Sequence, residues 1–261
     1  MKCKRLWSIL LVSLLSLFVV GCSASSQIDK KEVINQIVKQ SDSIKSLDAK
    51  MKMKIKAELP KEASASTSEM TIGMDIDMSL IQEPLTTKMQ IDMDMLGNKT
   101  KLEAYLKDNS LYAKMPNTNT WVKQDASAQL SQITDQSNAV YNKEYFKALE
   151  KSIDSIKIEE KDGNYVINIP DASKALQEVF KKQLGAINSA NSAASNATFS
   201  NTHITYVINK KTKNPVSVTM ESDIEASGSK AHMTMEVTYS NINKVKEIKL
   251  PAEAESAAIA D

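Results

Sequence analysis

A strict alternation of apolar and polar residues between Met70 and Met95 constrains the fold more than any other stretch of this 261-residue chain. Six apolar side chains, from Met70 to Leu80, are each separated by one polar residue or glycine. The pattern resumes from Met89 to Met95 after Glu83-Pro84. Successive side chains of a β-strand point to opposite faces, so a period of two predicts two strands with a Met/Ile face and an Asp face.

The alternation continues on both sides of this stretch. Met51, Met53 and Ile55 alternate with lysines before it, and turn sequences at Leu96–Lys99 and Asp108-Asn109 follow it. The apolar face stays in phase through five such strands, which predicts one continuous antiparallel meander. A slip of one residue would turn every methionine to solvent, so this phase is strongly specified.

Short connections between these strands allow their registers to be predicted. A first turn near Ser64-Ala65 and a second at Gly97-Asn98 set the following cross-strand pairs: Lys52–Asp77, Lys54–Asp75, Met53–Ile76, Ile55–Met74, Met93–Leu102, Ile91–Ala104, Met89–Leu106 and Asp94–Lys101. The charged pairs fall on the outer face, where each contributes about 0.2–1 kcal/mol.

Helices and further hairpins flank the meander. Asp29, with Glu32 in capping-box spacing, predicts the start of a helix that runs to about Ser46. Asp162-Gly163 is a type I′ hairpin signal between two short alternating segments. Helical periodicity marks three other segments: Ala126–Gln136, Asn142–Ser152 and Ala172–Leu184.

The C-terminal part of the chain returns to the period of two. A hairpin around Ser227-Gly228 pairs Met220 with Met235 and places Asp223 opposite His232. Residues 186–200, which precede this part, carry no period and small polar side chains, and they predict a mobile loop.

The order of these elements predicts an α+β fold. We expect a strongly curved antiparallel sheet of about ten strands, a half-open β-barrel, with helices covering its concave face. We expect a single domain over residues 28–250, because neither half could shield its own apolar face. The polar, small-residue segment 251–261 predicts a flexible tail.

The N-terminus has the pattern of a targeting segment. Lys2, Lys4 and Arg5 precede an apolar run too short to span a bilayer comfortably, which predicts a signal peptide over residues 1–21. The run ends in Val19-Val20-Gly21-Cys22, which resembles the lipobox of bacterial lipoproteins. The resemblance implies lipidation of Cys22 with acyl chains such as palmitate, and a tether over residues 22–27. An ordinary secretion signal with a chance cysteine is the alternative.

Charge and cysteine content exclude several classes of function. Processing at Cys22 removes Cys3, so the mature chain has no disulfide and no thiolate metal site. Loss of the three N-terminal cations leaves 30 Lys+Arg against 32 Asp+Glu, or a net charge of −2. This balance gives no reason to expect nucleic acid as a partner.

No catalytic motif stands out in the sequence. The two histidines, His203 and His232, are expected on the surface, and HExxH, GxSxG, P-loop and Cys/His patterns do not occur. The acidic residues of the central strands predict a salt-bridged outer face rather than a Ca²⁺ site; they are Asp75, Asp77, Asp92 and Asp94. The sequence predicts a protein that is not an enzyme and has no cofactor or metal site.

The 13 methionines are the unusual feature of the composition. Three interpretations are open: plain core packing, an adaptable apolar cavity that repacks around varied ligands, and soft thioether ligands for Cu(I). Interleaved Ile, Leu and Val without supporting His or Cys weigh against copper. The candidate lining of a hydrophobic-ligand cavity comprises Met51, Met53, Ile55, Ile72, Met74, Ile76, Met78, Met89, Ile91, Met93, Leu102, Leu106, Val218, Met220 and Met235.

Two segments carry a resemblance to a known group of proteins. Thr205–Val216 resembles the recurrent strand-turn-strand of that group, with Asn209 where Asp is usual, and Tyr112–Trp121 resembles its strand followed by Trp. With the lipobox, the N-terminal helix and the meander, the chain resembles the LolA/LolB-like superfamily. The likeness is nearest to the branch of mycobacterial LppX and LprG and to uncharacterised Firmicutes lipoproteins. It implies a half-open β-barrel whose cavity holds acyl chains, without enzymatic activity.

The sequence therefore predicts a monomeric lipoprotein on the extracytoplasmic face of the cell membrane of a Gram-positive envelope. Its expected partners are the membrane, through the lipid anchor, and a lipid or other hydrophobic ligand that it carries or chaperones. The first alternative is a sensor with a self-filled core that contacts another envelope protein. The minor alternative is Met-based Cu(I) binding.

Overall fold

A computed structural model shows one large antiparallel sheet. It describes residues 28–58, 69–116, 118, 120–130, 150–174, 176–178, 197–226 and 228–257. The strands are β1 (Ser46–Glu58), β2 (Glu69–Ile81), β3 (Thr86–Met95), β4 (Asn98–Lys107), β5 (Ser110–Lys114), β6 (Trp121–Asp125), β7 (Lys157–Lys161), β8 (Asn164–Ile169), β9 (Thr198–Asn209), β10 (Pro215–Ala226) and β11 (Ser229–Ser240). The helical elements are α1 (Lys30–Ser41), the 3₁₀ helices Ser127–Gln129 and Glu150–Ser155, and the C-terminal turn Ala252–Glu255.

The eleven strands of the described residues form one open sheet in the order β6-β5-β4-β3-β2-β1-β11-β10-β9-β8-β7. Each pair is antiparallel, and β1 joins the two meanders by pairing with β11 from Asp48–Ser240 to Ala57–Ala231. The predicted antiparallel sheet is confirmed. The described part of the chain is mostly β, so the predicted α+β class with about ten strands understates the sheet by one strand.

The faces of the central strands are as predicted, but two of the predicted registers are wrong by two residues. Lys52 lies opposite Asp75 and Met53 opposite Met74, and the other corrected pairs are Lys50–Asp77, Ile55–Ile72, Met93–Thr100, Ile91–Leu102, Met89–Ala104 and Asp94–Lys99. The β3–β4 turn consists of Leu96 and Gly97, both with positive φ, rather than Gly97-Asn98. The loop between β1 and β2 has no dipeptide that fixes its centre. A shift of two residues preserves which side chains share a face.

The pairs Met220–Met235 and Asp223–His232, predicted from the Ser227-Gly228 turn, are confirmed. The structure also has the pairs Val218–Val237, Thr219–Glu236, Ala104–Ala113, Leu106–Leu111 and, between like charges, Asp75–Asp92. The type I′ hairpin at Asp162-Gly163 is confirmed by positive φ values of 51° and 74°.

Helix α1 covers one end of the sheet. Its N-cap is Asp29, whose carboxylate accepts a hydrogen bond from the Glu32 amide at 3.0 Å, as the capping-box spacing predicts. The helix ends at Ser41 rather than near Ser46, because Ser46 already pairs with Ile81 in the sheet. Val33, Ile34 and Ile37 of α1 pack into the main core cluster.

Other expectations fall partly or wholly outside the described residues. Ser127–Gln129 and Glu150–Ser155 are 3₁₀ helices, and the remainder of the two helices predicted there lies outside. Residues 173–174 and 176–178 of the third predicted helix are helical. Strand β9 begins at Thr198, inside the predicted loop 186–200, whose residues before Ala197 are not described. Trp121 opens β6, a further strand of the same sheet.

The segment after β11 packs against the other side of the meander. Its Asn243 holds the start of β1. The side-chain Oδ1 of Asn243 accepts a hydrogen bond from the Lys45 backbone amide at 2.6 Å, and its backbone N–H donates to the Ser46 carbonyl at 2.8 Å. A second core cluster joins this segment to β4, β5 and β6; its buried members are Tyr105, Tyr112, Trp121, Ile248 and Ala254. Residues 252–257 belong to the stretch for which the sequence predicts a flexible tail, and Ala254 there is fully buried.

Candidate functional site: a methionine-rich sheet face

All candidate lining residues lie on one face of the sheet. The registers of the neighbouring strands place each of them on the side that α1 and the main core cluster occupy. The sequence identified this face because the period of two is insensitive to register shifts of two residues.

Five of these methionines form a continuous row across five adjacent strands. Each lies directly opposite the next, and we call this row the methionine ladder: Met93, Met74, Met53, Met235 and Met220. Ile204 on β9 continues the row beyond Met220. Directly opposite side chains have Cβ atoms about 4.5–5.5 Å apart, which places neighbouring thioether chains within reach of one another. The predicted β1–β2 register concealed the ladder, because it placed Met53 near Ile76 rather than opposite Met74.

On β1, β2 and β3, burial falls from one end of this face to the other. Leu47, Ala49 and Leu80, near the turn that follows α1, are at most 5% exposed. Leu106, Val218 and Met220 are also buried, whereas the remaining twelve candidate lining residues are only half-buried. At the far end Met95, opposite Ile72, is 42% exposed. The methionines and isoleucines of this face thus keep part of their apolar surface exposed.

The opposite face is polar and charged. Lys50 contacts Asp77 at 3.5 Å, and Lys101 contacts Asp92 at 3.1 Å, with all four side chains more than half exposed. Asp75 lies between Lys52 and Asp92 in the register. The described residues contain no group of three or more His, Cys, Asp or Glu side chains arranged to hold a metal ion. Asp77 and Asp92 of this face form ion pairs with lysines.

Two connected grooves run over the polar face. Their volumes are about 1060 and 960 Å³, and both are lined by Lys52, Asp75, Asp92, Lys99 and Lys101. The larger groove has ladder methionines in its lining but none of the apolar residues on either side of the ladder on β1, β2 and β11, which are Met51, Ile76, Val237, Ile55, Ile72 and Met233. Neighbouring positions of a strand point to opposite faces, so the ladder contributes its backbone there. This groove is a different feature from the apolar cavity that the sequence predicts.

A small polar cluster lies at the edge of the same face. Asp223 accepts hydrogen bonds from the Asn201 amide at 2.8 Å and pairs with His232 Nδ1 at 2.8 Å. Asn201 and then His232 hold the pKa of Asp223 below its usual range. On the apolar face, the fully buried hydroxyls of Thr202 and Ser222 contact each other at 2.8 Å. Sequence reasoning missed this pair, whose signal is a break in the apolar alternation of β10.

No helix among the described residues is both long and apolar enough to cross a membrane.

Comparisons with known proteins give a family but no function. No curated protein matches the chain. A DUF1329 family protein from Desulfovibrio piger is 10% identical over 81% of this chain and 91% of its own, with a TM-score of 0.25. A β-barrel-like DUF1849 protein from Brucella abortus is 5% identical over 76% of this chain and 99% of its own, with a TM-score of 0.23. At such TM-scores neither likeness carries an argument. A family model matches residues 29–259, and the chain therefore belongs to DUF6612, a family of unknown function.

Proposed function

We propose that this protein is a membrane-anchored, extracytoplasmic lipoprotein that binds a lipid or another hydrophobic ligand against its methionine-rich face. The observation that carries the proposal is the incomplete burial of that face: Met51, Met53, Ile55 and their partners on β2–β4 are half-buried, while the core beside α1 is buried. Protein interiors are normally close-packed, so an apolar face left half-open in the middle of a sheet is a candidate binding surface.

Apolar burial would supply the binding energy. Each Å² of apolar surface removed from water contributes about 25 cal/mol before the costs of ordering the ligand are subtracted. Methionine suits a variable acyl ligand because its unbranched, polarizable side chain repacks at low cost. No charged side chain interrupts the ladder, whose flanking rows are Met51, Ile76 and Val237 on one side and Ile55, Ile72 and Met233 on the other.

The location of the protein and the shape of the binding surface belong to the same proposal. Cys22 carries the lipid anchor, and the short tether over residues 22–27 keeps the domain beside the bilayer. In the LolA/LolB-like arrangement, the sheet curves into a half-open barrel and helices cover its concave, apolar face. The ligand then lies between helices and ladder, and the protein works as a carrier or chaperone without catalysis.

Lipid analysis of the native protein tests the proposal. The full chain is purified from its own host in mild detergent, and bound lipids are identified by mass spectrometry. The double variant Met53→Gln/Met74→Gln changes two facing ladder residues, whereas Lys52→Gln/Asp75→Asn changes the facing pair one residue away on the opposite face. We expect the first variant to lose bound lipid and the second to retain it, with both folded by circular dichroism.

A native protein that is free of lipid and also fails to bind a fluorescent fatty acid would refute the proposal. The self-filled sensor would then be favoured, and crosslinking in cells would identify its envelope partner.

The methionine ladder supports a second candidate function, the binding of Cu(I). Thioethers are soft ligands, and three facing methionines, Met74, Met53 and Met235, come from three adjacent strands. Titration calorimetry with Cu(I) and a competing chelator measures the copper affinity of the wild type and of the variant Met53→Leu/Met74→Leu. The control variant Met51→Leu/Met78→Leu lies off the ladder. Wild-type binding no tighter than the chelator excludes copper.

A further inference from the structure

The β3–β4 turn places a leucine in a backbone conformation that disfavours it. Leu96 and Gly97 have φ values of 54° and 80°, the type I′ geometry of a two-residue hairpin. The Gly97 amide donates to the Asp94 carboxylate at 3.0 Å, which holds the turn. Positive φ suits glycine, asparagine and aspartate, whereas a bulky side chain at such a position is uncommon.

Two other two-residue turns of the same chain obey this preference. Their residues are Asp108-Asn109 and Asp162-Gly163, all with positive φ. Only the Leu96-Gly97 turn departs from the usual turn chemistry among these three. A local rule broken without local gain is a mark of function.

Leu96 is not a core residue. It is 62% exposed, and the adjacent Met95 is 42% exposed. Met95 lies opposite Ile72, and Ile72 lies opposite Ile55, so Met95 continues the half-buried apolar face to the end of the sheet. The exposed Leu96 follows it at the turn, beside the groove of the polar face.

We propose that this hairpin tip, Met95 and Leu96, inserts into the interfacial region of a lipid bilayer. Two side chains on a convex tip are far too small for a stable protein interface, which buries about 800 Å² on each partner. A few apolar side chains are enough for shallow insertion at a membrane surface that another anchor already holds near. The proposal rests on the proposed function for the nearness of a bilayer, but it requires no bound ligand.

The geometry also provides matched control positions. Leu96 and Asp108 lie at opposite ends of β4, about 33 Å apart for ten strand residues. Asp162 also lies at the end of the sheet away from Leu96. It precedes β8, which begins opposite Asn209 at the end of β9. The pairings of β9 with β10, β10 with β11 and β11 with β1 place that end of β9 at the same end of the sheet as Asp48 of β1. A tip inserted at Leu96 therefore leaves both control turns in water.

Depth-dependent fluorescence quenching tests insertion. Full-length, anchored protein carrying Leu96→Trp, Asp108→Trp or Asp162→Trp is reconstituted in phosphatidylethanolamine–phosphatidylglycerol vesicles with brominated acyl chains. The wild type supplies the background of its native Trp121. We expect a blue shift and strong quenching for Leu96→Trp alone. Quenching at Leu96→Trp no greater than at Asp108→Trp overturns the proposal, whatever lipid extraction finds for ligand binding.

A stability measurement separates a membrane role from a structural one. Leu96→Asn supplies the residue that the turn prefers, so we expect the thermal midpoint to rise by about 2–4 °C in detergent. The same variant should weaken surface partitioning of the tip by about tenfold, because an exposed leucine no longer enters the interface. A fall in the midpoint would show that Leu96 serves the fold, and it would overturn the inference.

Discussion

Met53 on β1 lies directly opposite Met74 on β2, and both side chains are only half-buried. In a filled core, two facing methionines at the centre of an eleven-stranded sheet would be expected to have little exposure. Their partial exposure is the property that distinguishes an apolar surface available to a ligand from one that is already filled. Experiments can therefore test whether a ligand occupies this face.

Truncation of two ladder methionines compares a buried member of the row with a half-buried one. Met220 is 7% exposed and Met93 is half-buried. We expect Met220→Ala to cost about 2–5 kcal/mol of unfolding free energy, and Met93→Ala to cost less than half of that, because fewer packing contacts are lost. Urea unfolding of ligand-free protein measures both. Equal costs would indicate a filled core and favour the sensor over the carrier.

The polar face allows a test of like-charge opposition. Asp75 faces Asp92 on one side and Lys52 on the other, but no salt bridge joins it to that lysine in the described residues, whereas Asp77 contacts Lys50 at 3.5 Å. We expect Asp75→Asn to stabilise the protein by a few tenths of a kcal/mol, about the size of one cross-strand pair, and Asp77→Asn to destabilise it by a similar amount. Chemical unfolding at low ionic strength measures both changes. Both should shrink in 1 M salt, and effects of the same sign would contradict the assignment.

The sequence could predict which side chains share a face, but not the register between neighbouring strands. A period of two fixes the face of Met74 and Asp75 independently of any shift by two residues. The β3–β4 register depends on its turn, and Leu96 at positive φ is a residue that turn preferences would not select. The ladder depends instead on the β1–β2 register, whose loop has no dipeptide that fixes its centre, and on the pairing of β1 with β11, which are far apart in the chain. Sequence reasoning therefore assigned each ladder methionine to the correct face but did not align the row.

Long-range packing of the C-terminal segment was also beyond the sequence. Residues such as Ala254 are small and follow a proline, which is typical of a frayed end. The segment nevertheless packs against Tyr105 and Trp121, whose rings lie 5.8 Å apart on the polar side of the meander. Aromatic side chains on an otherwise charged face were the signal that this face is covered at one end.

The C-terminal contact predicts a large effect from one small buried residue. Ala254 is fully buried beside the aromatic cluster, and the neighbouring Glu253 is exposed. We expect Ala254→Glu to destabilise the protein by more than about 2 kcal/mol, because a carboxylate would be buried without a partner. Glu253→Ala should change stability by less than ~0.5 kcal/mol. Thermal unfolding followed by Trp121 fluorescence measures both, and an unaffected Ala254→Glu variant would contradict the packing.

The pH dependence of Asp223 is expected to follow its hydrogen bond from Asn201, the first cause of its lowered pKa. Asn201→Gly removes the amide but tolerates the positive φ of 48° at this position, so the pKa of Asp223 should rise toward its usual value of about 3.9. A lowered folded-state pKa stabilises the protein above the unfolded-state value, and the stabilisation is lost as pH falls through the folded-state value. NMR titration of the carboxyl group measures the change.

The pKa of Asp171, held low by Ser173, serves as the internal control and should not move. An unchanged pKa of Asp223 in the Asn201→Gly variant would assign the shift to His232 instead.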